Sequence, residues 1–87
     1  MYRNKRVIDY TAYPGETIGE YIRRVREQHR YSREALAMAT GISKATLFNY
    51  EKGLRKHRVS LGIIAALAKE LGMDLNVLGK LLLEEER

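Results

Sequence analysis

Apolar residues recur three or four positions apart in five short segments of the chain, with polar residues between them. Ile18, Ile22 and Val25 show this spacing in the first segment, and Leu75 and Leu78 show it in the last. Positions three and four apart share one face of an α-helix, so the pattern predicts amphipathic helices. The predicted helices cover residues 18–29, 33–39, 44–52, 61–71 and 75 to about 83.

Residues that favour helix ends bound these segments. The side chains that can accept hydrogen bonds from the free N–H groups of a first helical turn are those of Thr17, Ser32, Ser43, Ser60 and Asp74. Thr17 and Glu20 also fit a capping box. Gly53 and Gly72 follow the third and fourth segments, where a left-handed residue commonly ends a helix. The predicted fold class is therefore all-α, with five short helices.

Residues 1–13 show no helical period, so residues 1–16 are predicted to form an extended N-terminal arm and a turn. The sequence Tyr13-Pro14-Gly15-Glu16 predicts a turn before the first helix, because proline presets one dihedral angle and glycine tolerates the other. The segment from residue 6 to residue 12 alternates weakly and could also form a short edge strand.

Composition limits the class of protein. The chain has 87 residues, 45% of them hydrophobic, and no cysteine. These values predict one small domain with a thin core, no disulfide framework and no thiolate metal site. The apolar stretches are too short to span a membrane, and the N-terminus lacks the apolar core of a secretory signal. We expect a cytoplasmic or nucleoid-associated protein that needs no cofactor.

Positive charge is concentrated in the middle of the chain. The net charge is +5, and residues 16–58 carry ten basic and five acidic side chains. Residues 59–87 carry three basic and five acidic side chains. This distribution suits a polyanion on one side of the molecule and a protein partner on the other, although a merely soluble basic surface would have the same composition.

The second and third helices have the residues that a helix-turn-helix requires. Ala37 is small enough for a close helix crossing, and Gly41 can adopt the positive φ of a tight turn. Ile42 can fill the corner from the turn, while Leu47 and Tyr50 can fix the inner face of the third helix. Together these requirements predict a helix-turn-helix that reads DNA.

The stretch SREALAMATGISKATLFNYEKG, from Ser32 to Gly53, and the run SLGIIAALAKELGMDLNVL from Ser60 resemble the phage repressor and Cro-type (XRE) family. The resemblance covers residues 17–83, leaving an arm and turn at 1–16 and an acidic tail at 84–87. It implies a five-helix domain that binds a pseudo-palindromic operator as a two-fold dimer and has no catalytic activity. Two features depart from the family: Arg33 stands where glutamine is usual, and no proline follows Gly53.

The resemblance also implies which residues contact double-stranded DNA. Arg33 would contact a phosphate and brace the third helix, Lys44 and Ala45 would read base edges, and Asn49 could pair with adenine. Basic residues beyond the third helix would follow the phosphate backbone. The predicted DNA-binding set is Arg33, Ser43, Lys44, Ala45, Thr46, Asn49, Lys52, Arg55, Lys56 and Arg58. Phe48 replaces a small polar residue of the family, and it either covers the gap between the two helices or touches thymine.

Two further interactions are expected. The resemblance pairs Arg26 with Glu51 as a buried ion pair between the first and third helices. The last helix carries more leucines than one core-facing stripe needs, so it predicts a homodimer interface at Leu75, Leu78 and Leu82. The alternative is a hydrophobic C-terminus that only closes the core.

Catalysis and the binding of a protein partner are the alternative functions. His29 and His57 lie in different elements and are expected at the surface, and no Ser–His–acid set converges, so catalysis is not predicted. The segment ahead of the first helix also resembles that of some antitoxins, whose main partner is a toxin. An adaptor that contacts the transcription machinery is a further alternative. Arg3, Lys5 and Arg6 could contact DNA as an arm, form a disordered tail, or precede a strand paired across the dimer.

Overall fold

Five helices and no β-strand make up the part of the chain that the computed structural model describes, residues 7–53 and 61–85. The helices are α1 (Ile18–Gln28), α2 (Arg33–Thr40), α3 (Lys44–Lys52), α4 (Leu61–Leu71) and α5 (Leu75–Glu85). The all-α prediction is confirmed, and the helix bounds agree with the predicted ones to within about two residues. The predictions for Arg3, Lys5, Arg6, Arg55, Lys56, His57, Arg58 and Ser60 lie outside the described residues.

The helices begin where the predicted caps stand. Thr17 Oγ1 accepts a hydrogen bond from the Glu20 amide at 3.1 Å, and Glu20 Oε1 accepts one from the Thr17 amide at 3.0 Å. Ser32 and Ser43 each accept a bond at 3.0 Å from the amide three residues further on. Asp74 Oδ1 accepts a bond from the amide two residues on, at 2.8 Å. These local bonds satisfy amides that the helices themselves leave free.

Helix α1 ends one residue earlier than predicted, in a Schellman motif without glycine. The Arg30 amide donates to the Glu27 carbonyl at 2.9 Å, and the Tyr31 amide donates to the Arg26 carbonyl at 3.1 Å. Arg30 occupies the left-handed position with φ 63°. The motif turns the chain sharply after α1, so that α2 begins two residues after Tyr31.

The core is contributed by all five helices and by the turn between α2 and α3. Helix α1 packs against α3 and α5, α2 packs against α3 and α4, and α4 packs against α5. Apolar side chains from each element meet in one cluster of buried residues. The cluster comprises Ile18, Tyr21, Ile22, Val25, Leu36, Ile42, Leu47, Ile64, Leu67, Ala68, Leu71, Met73, Leu78 and Leu81.

Residues 7–16, which we call the N-terminal strap, lie extended against α1 and end in the predicted turn. The Glu16 amide donates to the Tyr13 carbonyl at 3.0 Å, and Gly15 has φ 82°. Arg24 of α1 holds the strap: Nη1 donates to the Asp9 carbonyl at 2.7 Å and Nε donates to Glu16 Oε2 at 2.9 Å. Three more hydrogen bonds join the backbone of Asp9, Tyr10 and Thr11 to side chains of α1. These backbone groups are therefore engaged by α1, and not by a neighbouring strand.

Tyr10 of the strap and His29 at the end of α1 both contact the last carbonyl of α4. The Tyr10 hydroxyl donates to the Leu71 carbonyl at 2.7 Å, and His29 Nε2 lies 2.8 Å from the same carbonyl oxygen and 3.1 Å from the Tyr10 hydroxyl. His29 is half-buried as a result. The expectation that His29 is exposed to solvent is wrong, because the strap and the end of α4 cover it.

Candidate nucleic-acid interface

A glycine makes the corner between α2 and α3. Gly41 has φ 78°, a left-handed conformation that strains any residue with a Cβ, and its amide donates to the Ala37 carbonyl at 2.8 Å. Ile42 follows and is buried in the core, and Ser43 then caps α3. Chain reversal therefore takes three residues between the end of α2 and the start of α3.

The inner face of α3 is fixed by burial and by a close backbone approach. Leu47 has no accessible surface, and Tyr50 packs half-buried against the core. Gly19 of α1 lies directly against α3: a Cβ built on it would stand 2.0 Å from the Tyr50 carbonyl oxygen. Only glycine permits α1 and α3 to approach so closely. The sequence gives no local sign of this contact, because Gly19 reads as a small loss of helix propensity.

Three charged side chains, one from each of α1, α2 and α3, meet where these helices pack together. We call them the Glu51 cluster: Arg26, Arg33 and Glu51. Arg26 Nε donates to Glu51 Oε2 at 2.7 Å, and Arg26 Nη2 donates to Glu51 Oε1 at 3.1 Å. Arg33 Nε donates to Glu51 Oε1 at 2.9 Å. The Glu51 side chain is 0% exposed, so one buried carboxylate links α1, α2 and α3. A planar guanidinium that donates two hydrogen bonds to one carboxylate pairs the opposite charges and also fixes the relative orientation of the two side chains.

The outer face of α3 carries most of the predicted base-reading residues. Lys44, Ala45, Asn49 and Lys52 are all exposed, and they project from the side of α3 that is not packed on the core. Thr46 is half-buried, and its hydroxyl accepts a bond from the Ser43 hydroxyl at 2.8 Å. Ser43 also caps the helix through the Thr46 amide, so its side chain is already engaged within the protein.

Arg33 is a brace in the structure. Besides its bond to Glu51, its guanidinium carbon lies 5.0 Å from the centre of the Phe48 ring. The Arg33 side chain remains 25% exposed, so part of it reaches the surface beside α3. Phe48 is 38% exposed and also has the Lys52 ammonium 5.7 Å from its ring centre. Phe48 thus lies between two cations at the edge of α2 and α3.

Lys44 has a partner that the sequence does not reveal. Its ammonium donates to Glu34 Oε2 at 2.7 Å, across the corner between α2 and α3. The hydrogen bond from Lys44 is the main reason why the pKa of Glu34 lies below its ordinary value. Both side chains are more than half exposed, so the pair is open to solvent and can exchange.

The predicted dimer residues differ in exposure. Leu78 is 0% exposed and belongs to the core of one chain, so its assignment to a surface contact is wrong. The cause is the packing of α5 on α1 and α4, which turns Leu78 inward. Leu75 is 51% exposed and Leu83 is 64% exposed, while Leu82 is half-buried. An apolar strip of these three leucines therefore remains on the surface of α5.

A tight bihelical corner, with the inner face of its second helix fixed and the outer face exposed and basic, defines a helix-turn-helix domain. The chain belongs to the helix-turn-helix family of the XRE type, whose members bind DNA: the family's model matches residues 22–78, about two thirds of the chain. None of the helices described here is long and apolar enough to cross a membrane.

One curated relative supports the same family. A protein of Thermococcus kodakarensis, provisionally named as an HTH-type transcriptional regulatory protein, is 43% identical to this chain over 49 residues. The match covers 56% of this chain and 15% of the relative. No solved structure matches the chain.

Proposed function

We propose that this protein is a sequence-specific regulator of transcription, a dimeric repressor that reads the major groove of double-stranded DNA with α3. The observation that carries the proposal is that α3 has one face buried in the core and the opposite face exposed. Leu47 and Glu51 are buried on one side, while Lys44 and Asn49 are exposed on the other. The major groove of B-DNA admits a helix of this kind, whereas the narrow major groove of RNA does not.

The exposed residues divide into base readers and phosphate contacts. The Lys44 ammonium would leave Glu34 and donate to the acceptors of guanine, and the Asn49 amide would pair with adenine. Lys52 stands at the far end of the same face, where a cation contacts the phosphate backbone. Arg33 would add a phosphate contact through the part of its guanidinium that reaches the surface, while Nε stays bonded to Glu51.

A dimer would supply the specificity that one short helix lacks. The apolar strip on the surface of α5, formed by the exposed Leu75 and Leu83 and the half-buried Leu82, is proposed for the two-fold contact. Two copies joined in this way would contact half-sites about 10–10.5 base pairs apart. Leu75→Lys together with Leu83→Lys should shift the protein from dimer to monomer in sedimentation equilibrium, and a monomeric wild type would exclude this interface.

The proposed role in regulating transcription draws on the relative from Thermococcus kodakarensis, which is named as a regulator of transcription. Selection of bound fragments from random DNA tests the proposal directly, because a dimeric reader recovers a pseudo-palindromic sequence. A reporter gene placed behind the selected sequence should then lose expression when the protein is present. Recovery of random sequence only would reject specific reading.

Two variants separate base reading from phosphate binding. Lys44→Ala should cost about 1–3 kcal/mol of binding free energy and relax base choice at one position per half-site. Lys52→Ala should weaken all sequences alike and reduce the slope of log affinity against log salt by about 0.9 for each phosphate that Lys52 neutralises. If both variants changed base choice equally, the division between the two groups would be incorrect.

A further inference from the structure

The outer face of α3 carries an apolar hollow that the proposed roles of Lys44, Asn49 and Lys52 do not explain. The hollow has a volume of about 430 Å³. It is lined by Arg33, Lys44, Ala45, Phe48 and Asn49. Ala45 and Phe48 are both exposed at its surface, although the face around them is polar and basic. Exposed apolar groups within a binding face indicate that the partner brings an apolar group of its own.

The charges around the hollow limit the nature of that partner. The basic side chains at its rim are those of Arg33 and Lys44, and Lys52 lies against the Phe48 ring. A polyanion is the natural partner for this rim, so the occupant is an apolar group carried on a polyanion. In the major groove of DNA, the apolar group offered by a base edge is the C5-methyl group of thymine. A cytosine methylated at C5 presents the same group.

The aromatic wall of the hollow is held in place before any ligand arrives. The Arg33 guanidinium lies over the Phe48 ring at 5.0 Å, and Arg33 is itself bonded to the buried Glu51 carboxylate at 2.9 Å. Lys52, four residues along α3, contacts the ring at 5.7 Å. A side chain positioned in this way loses little conformational freedom on binding, which favours its use in recognition.

We propose that the hollow between Ala45 and Phe48 receives the C5-methyl group of a pyrimidine, and that Phe48 is a specificity-determining residue. The inference rests on the proposed function, because it requires α3 to lie in the major groove. The methyl group would enter beside the bases contacted by Lys44 and Asn49, since these two residues line the same hollow. The pyrimidine is therefore expected next to the guanine or adenine that they read.

Replacement of thymine by deoxyuridine tests the proposal, because uracil pairs identically and lacks only the methyl group. The operator is first selected from random DNA, and each thymine is then replaced singly. One thymine in each half-site should be sensitive, with an affinity loss of about fourfold, the value of one buried methyl group. Replacement in both half-sites should multiply the two losses to about sixteenfold.

A second pair of duplexes distinguishes the two sources of the methyl group. The sensitive thymine is replaced by cytosine or by 5-methylcytosine, with guanine opposite in both cases. The methylated duplex should bind about fourfold more tightly than the unmethylated one. Equal binding of these two duplexes, together with a thymine effect, would restrict the hollow to thymine and overturn the part of the proposal that concerns methylated cytosine.

Variants of Phe48 connect the effect to this side chain. Phe48→Ala should bring the affinity ratio between the thymine and uracil duplexes close to one, and Phe48→Leu should retain part of it. Met38→Ala is the matched control, because Met38 is exposed on α2 and does not line the hollow. The ratio compares two duplexes with the same variant, so a general loss of affinity or stability does not affect it. A thermal unfolding curve is measured for each variant to verify that it is folded.

Two results would overturn the inference and leave the proposed function intact. One is specific binding with no thymine that is sensitive to loss of its methyl group. The other is a sensitive thymine whose ratio is unchanged in Phe48→Ala. Failure to select any DNA sequence would instead reject the proposed function, and the inference with it.

Discussion

The backbone of Gly19 in α1 touches the carbonyl oxygen of Tyr50 in α3. A Cβ at residue 19 would lie 2.0 Å from that oxygen and 3.2 Å from the Glu51 Cα. Both distances involve backbone atoms, which cannot move without displacing α3. The contact therefore sets the distance between α1 and the proposed reading helix α3. The Glu51 cluster joins the two helices close to the same point, because Glu51 follows Tyr50.

Gly19→Ala should consequently destabilise the fold by about 3 kcal/mol, since α3 must move away from α1 to admit the methyl group. Urea denaturation measures this change. Gly79→Ala is the control, because a Cβ at that helical position meets nothing within 4 Å. It should stabilise the protein by about 0.5–1 kcal/mol, the usual gain of alanine over glycine in a helix. Equal effects of the two substitutions would contradict the close approach.

Glu51→Ala should destabilise the protein by about 3–5 kcal/mol, because it leaves the guanidinium of Arg26 buried without its carboxylate. Chemical denaturation gives the free energy of unfolding. Glu34→Ala serves as the comparison: Glu34 is 64% exposed and pairs with Lys44 at 2.7 Å on the surface. Its loss should cost far less, because an ion pair that is open to solvent contributes little to stability. Similar costs for both variants would show that the Glu51 cluster does not stabilise the fold.

Glu34→Gln should raise the affinity for DNA about two- to threefold at moderate salt. The substitution releases Lys44 from its partner at 2.7 Å and removes a negative charge close to the proposed phosphate contacts. Titration of a labelled duplex measures the change. Glu27→Gln changes the net charge by the same amount from α1, so an equal gain in that variant would point to total charge and not to the release of Lys44.

The N-terminal strap should loosen in acid. The hydrogen bonds from Arg24 are the main reason why the pKa of Glu16 lies below its ordinary value of 4.5. A carboxylate with a lowered pKa in the folded state stabilises it fully above the ordinary value, and this stabilisation is lost as the pH falls through the lowered pKa. Glu16→Gln should therefore melt lower than the wild type at pH 7, by the equivalent of about 1 kcal/mol.

Thermal unfolding from pH 7 to pH 2 tests this expectation. The two melting curves should approach each other as the pH falls below 4.5 and meet below the lowered pKa of Glu16, because protonated Glu16 and glutamine are both neutral and bind Arg24 alike. The pKa of Asp9 is also lowered, chiefly by its hydrogen bond from the Tyr13 hydroxyl, and its protonation loosens the same strap. A difference between wild type and variant that stayed constant with pH would contradict a role for the Glu16 carboxylate.

The fold was predictable because its signals are local. Thr17, Ser32 and Ser43 bond amides no more than three residues away, so their spacing along the chain is sufficient to locate three helix starts. Gly41 likewise marks the corner by its own backbone conformation. The end of α1 lacks such a signal, because Arg30 occupies the left-handed position where glycine is usual.

The contacts that the sequence did not reveal join residues far apart in the chain. Gly19 meets Tyr50, Lys44 meets Glu34, and His29 is covered by a strap and a helix end. The periodic spacing of apolar residues along the chain does not predict such pairs. Leu78 shows the same limit, because one leucine stripe on α5 serves both the core and the surface. The division between the two depends on how α5 is rotated against its neighbours.

Arg33 belongs at once to the interior and to the proposed binding surface, since one edge of its guanidinium holds Glu51 and its plane covers Phe48. A phosphate that pulled this side chain outward would compete with Glu51 for the same cation. Recognition and folding would then share a single group. A substitution that released Arg33 from Glu51 would make its guanidinium available to DNA and would also remove a bond that holds α3 in place. Tighter DNA binding through Arg33 is therefore expected to come with a lower melting temperature.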